Sequence, residues 1–238
     1  MSFEVISAKE GIDTAFDEAA KEIFSVCAEV EAEREPVLAL CGGRSVVGLL
    51  MALKRESAHQ PGGLMRRIHF FMADERLVPL EDENSNFGGL KKLLFDQLLR
   101  DGAIRTEQLH PMTPDPRLSD HGCAAYMREL VRFGGRFTAV VLGVGEDGHV
   151  AGLFPKHPIL QRQEPTFFSF YDSPKPPPQR MTASVQLIRE AELCVLLALG
   201  AAKQQAWESF LDPDTSFEEC PSIVGKEAKR CVVVTDLA

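Results

Sequence analysis

Apolar residues along this chain fall into two rhythms. From Ile12 they recur every three or four residues, at Phe16, Ala19, Ile23, Cys27 and Val30, the period of a helix with one buried face. Ser7-Ala-Lys-Glu10, just ahead of that run, has the spacing of a capping box, and Pro36 closes the segment. Val37-Leu-Ala-Leu40 is then a short unbroken apolar stretch running into Gly42-Gly43, as expected of a buried strand. The alternation continues. Strands are predicted over 68–72, 137–142, 192–199 and 231–235, with 166–170 extended. Helices are predicted over 86–100 (carrying Leu90, Leu93, Leu94, Gln97 and Leu98), 118–133 and 201–211. Strands alternating with helices predict a mostly parallel sheet covered on both faces. Such sheets bind ligands in the loops at the carboxyl ends of their strands.

The length of 238 residues, with no internal repeat and no linker, suits one domain over 1–238. A formal net charge of −9 argues against nucleic acid and anionic membranes as partners, so an anionic ligand must be held by a few local cations. The six cysteines are scattered without a CxxC pair, and no secretory leader is recognisable, which predicts a reducing cytoplasm. No apolar run reaches the ~18 residues of a membrane span.

Gly143-Val-Gly145-Glu-Asp-Gly148 matches a dinucleotide fingerprint in letters alone. Pro155 follows too soon for the required helix, and Glu146 and Asp147 would repel a phosphate. The same glycines instead deliver Asp147 and His149 to the mouth of the sheet, where an imidazole that titrates near neutrality suits a general base. Asp74-Glu75-Arg76 follows a strand, and Arg76 offers a planar fork to a carboxylate, phosphate or oxyanion, with Asp74 as its orienting partner. Gly42-Gly43-Arg44-Ser45 joins a strand to a helix, a natural anion turn. Lys175, Arg180 and Lys203 are further cations, of which Lys203, in the first turn of a helix, is the strongest candidate of the three for an anionic ligand. No metal-ligand spacing occurs among the histidines, and no G-x-S-x-G elbow is present.

Six segments, in order, resemble the 6-phosphogluconolactonases of the glucosamine-6-phosphate isomerase/6-phosphogluconolactonase superfamily: Gly42–Ser45, Phe70–Arg76, Ser85–Gly88, Leu142–Pro155, Ser173–Thr182 and Gly200–Lys203. The resemblance implies an α/β fold of three α/β/α layers around a mostly parallel, Rossmann-like sheet. It also implies cofactor-free hydrolysis of 6-phospho-D-glucono-1,5-lactone to 6-phosphogluconate. No metal is expected from the spacing of the histidines, and a monomer or small homo-oligomer is the expected assembly. Carried over residue by residue, the resemblance makes His149 the base, with Arg76, Asp74 and Asp147 beside the reacting lactone. Gly42, Gly43, Arg44, Ser45, Arg180 and Lys203 would hold the phosphate. The chain departs from the usual pattern at Val46, Glu146, Val150 and Gly152, where proline, proline, threonine and serine are usual. The alternatives are an amino-sugar-phosphate deaminase/isomerase of the sister branch and a non-catalytic phosphosugar-binding protein. Gly152-Leu-Phe-Pro155, in place of Asn-Glu-Pro, and Arg76, in place of tyrosine, favour the lactonase.

Overall fold

A computed structural model describes residues 2–238, with backbone only at 61 and 62. In chain order the main elements are β1 (Glu4–Ser7), α1 (Ile12–Ala28), β2 (Val37–Leu40), α2 (Arg44–Ser57), β3 (His69–Met72), β4 (Asp74–Arg76) and α3 (Asn86–Leu90). A π-helical segment, Lys91–Phe95, carries α3 without a break into α4 (Asp96–Arg100). There follow β5 (Leu109–His110), α5 (Cys123–Val131), β6 (Ala139–Gly143), β7 (Phe167–Phe170), β8 (Arg180–Ala183), α6 (Val185–Arg189), β9 (Leu193–Ala198), α7 (Gln204–Leu211) and β10 (Arg230–Thr235).

Seven strands form one parallel sheet in the order β1-β10-β9-β6-β2-β3-β5. Its inner strands are largely apolar because helices cover both faces, and Val37–Leu40 and Leu193–Ala198 are buried at every position. From β2 the chain steps outward one way to β3 and β5, and from β6 the other way to β9 and β10. The loops leaving β2 and β6 therefore diverge, and a crevice opens between them at the carboxyl ends. A second sheet, β4-β8-β7, is small and antiparallel, and closes over that end.

Three sequence expectations are corrected. Ser7 is no helix cap: it ends β1 opposite Thr235, its hydroxyl accepts from Lys9 N, and α1 starts only after Gly11 with no side-chain cap. Strand pairing has claimed the residue. The predicted helix over 118–133 starts late, at Cys123, because the Asp120 carboxylate accepts from the amides of Gly122 and Ala124 and ends a run of turns there. Leu93, assigned to an apolar helix face, is 61% exposed, since the π-helical segment shifts the helical register past it. Among the described residues no helix is long and apolar enough to cross a membrane.

Candidate active site

A cavity of about 220 Å³ occupies the crevice. Its walls come from the loop after β2 (Cys41, Gly42), from β4 (Asp74, Arg76), from the end of β6 and the loop after it (Gly143, His149, Ala151, Phe154), from Asn86 at the start of α3, and from Lys175, Pro176 and Arg180.

The loop after β6 turns back on itself through Gly145 N donating to His149 O and Gly148 N donating to Gly145 O. No helix follows, so the glycines serve a tight turn and not a dinucleotide cradle. A β-carbon on Gly145 would overlap both His149 Nδ1 and Asp147 Oδ1. Glycine here is what lets the imidazole lie down against the carboxylate. His149 Nδ1 sits 2.5 Å from Asp147 Oδ1, and the ring packs against Phe154 at a 4.7 Å centroid distance. Lys175 Nζ is 3.3 Å from that same carboxylate oxygen and 3.4 Å from Nδ1. Burial works to raise the Asp147 carboxyl, but the His149 hydrogen bond and the His149 and Lys175 charges outweigh it and hold the carboxyl below the usual range. Among the described residues His149 Nε2 has no hydrogen-bond partner, and the side chain is 20% exposed.

Opposite stands a cationic wall. In the antiparallel β4–β8 pair, Arg76 faces Arg180 directly, an unfavourable cross-strand pair of like charges. Arg180 is buried, and it donates to the carbonyls of Lys175, Pro176 and Pro177, which fixes the loop carrying Lys175. Burial first, and then the Arg76 charge, lower its pKa, with Asp74 and Glu75 pulling the other way. Arg76 donates from one terminal nitrogen to Asn84 O at 2.6 Å, while among the described residues its buried Nε finds no partner. A buried orphan donor beside a second guanidinium is a place where an anion relieves two costs at once.

Asp74 and Cys41 line the floor. Burial, and next the charge and hydrogen bond of Asp74, push the Cys41 thiol well above its ordinary value, so it is a neutral donor and not a nucleophile. Asn86 Nδ2 donates to Asp74 O at 3.1 Å, and a β-carbon on Gly42 would collide with Asn86 Oδ1, so Gly42 is required by that packing. Among the described residues no group of three or more His, Cys, Asp or Glu side chains could hold a metal ion.

Of the residues the sequence singles out, His149, Asp74, Arg76, Arg180 and Gly42 meet on this cavity, and Asp147 holds His149 from beside it. Gly43, Arg44, Ser45 and Lys203 are not among its lining residues. Arg44 and Ser45 already belong to the first turn of α2, with Arg44 exposed, and Lys203 follows β9, one strand beyond the β6-β2-β3 group whose ends form the crevice. Sequence reasoning ranked Lys175 below Lys203, yet Lys175 is the lysine on the wall. Its signal was its place in the same Ser173–Thr182 segment as Arg180, within reach of that arginine. Asn86 also went without a role, although it sits in a matched segment.

The family model described as Glucosamine-6-phosphate isomerases/6-phosphogluconolactonase matches residues 11–233. The 6-phosphogluconolactonase of Borreliella burgdorferi is 32% identical over 212 residues, 87% of this chain and 86% of that protein. The rat 6-phosphogluconolactonase is 34% identical over 185 residues, 75% and 70% of the two chains. The crystal structure of a Thermotoga maritima 6-phosphogluconolactonase superposes with a TM-score of 0.79 at 23% identity, covering 98% of this chain and 99% of that one, which places the two on one three-layer α/β/α fold. With the family model spanning nearly the whole chain and these relatives agreeing on one branch, this chain belongs to the glucosamine-6-phosphate isomerase/6-phosphogluconolactonase family.

Proposed function

We propose that this chain hydrolyses 6-phospho-D-glucono-1,5-lactone to 6-phosphogluconate, a step of the oxidative pentose phosphate pathway, with His149 as general base. One observation carries the reading. A carboxylate-held imidazole with a spare nitrogen shares a 220 Å³ cavity with a guanidinium pair whose Arg76 Nε is buried and unpartnered.

Asp147 accepts the Nδ1 proton of His149 and so leaves the Nε2 lone pair for chemistry. Nε2 takes a proton from water as the oxygen adds to the lactone carbonyl carbon. The tetrahedral oxyanion then collapses, the bond from that carbon to the ring oxygen breaks, and the ring oxygen takes the proton back from the imidazolium as it becomes a hydroxyl. The new acid ionises to solvent. Arg76, Lys175 and Arg180 hold the phosphate, which fixes the carbonyl near His149 and converts a bimolecular attack into an oriented one. Asp74 and Asn86 are placed to meet sugar hydroxyls. Every group the reaction needs is then a side chain or water, so neither metal nor cofactor enters.

A cytoplasmic monomer or small homo-oligomer, with no nucleic-acid or membrane partner, completes the proposal, and the −9 net charge supports the absence of a nucleic-acid or anionic-membrane partner. The test is His149→Asn assayed on fresh lactone with the spontaneous rate subtracted. Accelerated hydrolysis disappears while calorimetric binding of 6-phosphogluconate persists. Unchanged turnover removes the general-base role, and ammonia release from glucosamine 6-phosphate by the parent chain moves it to the sister branch.

A further inference from the structure

Glu75 lies between two cavity residues on β4. Strand alternation sends Asp74 and Arg76 one way and Glu75 the other, into full burial and away from the cavity. Its carboxylate accepts from Arg76 N at 2.7 Å, Asn86 N at 2.7 Å, Phe87 N at 2.8 Å and the Ser85 hydroxyl at 3.1 Å. Four donors match the acceptor capacity of a carboxylate and offset part of its desolvation, which still raises its pKa above the ordinary value.

These donors are not scattered. Two are the first amides of α3, whose other leading amides, Gly88 N and Gly89 N, are taken by the hydroxyl and carbonyl of Ser85. The helix start is thereby closed by the protein's own acid and offers no amide to a ligand. The remaining amide belongs to Arg76. One carboxylate therefore ties the strand that carries Arg76 to the helix that carries Asn86. The loop between them returns Asn84 O to the Arg76 guanidinium, and Asn86 Nδ2 closes the ring on Asp74 O.

We propose that Glu75 is a positioning residue for lactone hydrolysis: without touching substrate, its carboxylate sets Arg76 and Asn86 relative to each other and so fixes where the anionic end of the substrate is held. The proposal rests on Arg76 being a substrate cation. A purely architectural Glu75 would also lower Tm when replaced, so Tm does not separate the two roles. A double-mutant cycle does.

Steady-state hydrolysis is measured for Glu75→Gln, Arg76→Ala and the double variant, per folded molecule as read from near-ultraviolet circular dichroism. Glutamine keeps the shape but turns an amino group toward donors. Glu75→Gln is expected to raise KM about tenfold, near the worth of one charge-assisted hydrogen bond, with kcat altered far less. Arg76→Ala raises KM further, and the double variant is no worse than Arg76→Ala. Native KM in Glu75→Gln, or losses that multiply in the double variant, overturns the positioning role while leaving Arg76 in place. Native KM in Arg76→Ala removes the substrate cation and the proposal with it. If Glu75→Gln does not fold, Glu75→Asp, which keeps the charge and withdraws it by one methylene, enters the same cycle with the same expected non-additivity.

Discussion

Two of the protein's histidine–carboxylate clusters lie at opposite ends of β3 and its neighbours, and they are built to opposite purposes. At the crevice, His149 lines the cavity and spends Nδ1 on Asp147, while among the described residues Nε2 has no partner. Around the first residue of β3, at the far end of the sheet, His69 Nε2 lies 2.8 Å from Glu35, His69 Nδ1 lies 2.7 Å from His110 Nε2, and His110 Nδ1 lies 3.2 Å from Glu129. Phe133 covers the His69 ring at 4.1 Å and Phe71 stacks on His110 at 4.2 Å. All four ring nitrogens are engaged there. The number of histidines and acids does not separate chemistry from architecture. What separates them is a nitrogen left over and a space for it to face.

The comparison breaks most sharply if function follows the wrong cluster. His149→Asn is expected to lower kcat by about 10²–10⁴-fold, the usual worth of a general base, with a native melting curve. Asp147→Asn comes next, at roughly 10–10²-fold in kcat, because an amide can donate to Nδ1 and drive the imidazole proton onto Nε2. Measured on the same preparations, His110→Phe should leave kcat per folded molecule unchanged. It should cost about 1–3 kcal/mol in urea denaturation, the penalty for leaving the buried His69 Nδ1 without its partner. A kcat loss in His110→Phe comparable to that of His149→Asn would end the division of labour.

Acid sharpens the same contrast. Burial first, and the His69 charge second, hold His110 down to about 4 from its ordinary 6.5, with Glu129 opposing. A folded-state value below the unfolded one means the unfolded chain binds more protons between them. The stability this group contributes is therefore intact above pH 6.5 and is lost as the pH falls through 4. Tm of the parent protein should fall across that window, and the His110→Phe variant should show a shallower fall. Parallel curves would mean the far cluster does not titrate with folding.

Legibility in the sequence follows the range of the contacts. Strands β2, β3, β6, β9 and β10 announce themselves because a strand buried on both faces carries a run of apolar residues, and the His149 loop because its glycines and acid are neighbours in sequence. Strands β4 and β8 are short and rich in polar residues, and their pairing joins segments far apart in the chain, so neither periodicity nor composition marks them. The opposition of Arg76 and Arg180 is a property of that register alone. The Glu75 clamp was hidden for the same reason: in sequence it is the middle of an acid-acid-base turn that looks solvated. The far histidine cluster was equally invisible, since its four members come from four separate segments.

Resemblance alone assigns Arg44 and Lys203 to the phosphate, whereas the cavity wall holds Lys175, Arg76 and Arg180. Arg44 is exposed and Lys203 half-buried, and a cation outside the cavity wall acts on a bound anion largely through solvent, where a Coulomb interaction is worth about 1 kcal/mol at 4 Å and less with distance and salt. Arg44→Ala and Lys203→Ala should therefore each change KM by less than about threefold, and that change should shrink further at high ionic strength. Lys175→Ala, which strips an ammonium from the wall and from Asp147 together, should raise KM well beyond either and keep doing so in salt. Should Lys203→Ala raise KM as much as Lys175→Ala, the loop after β9 closes onto the ligand, and the binding site extends one strand further along the sheet than the β6-β2-β3 crevice.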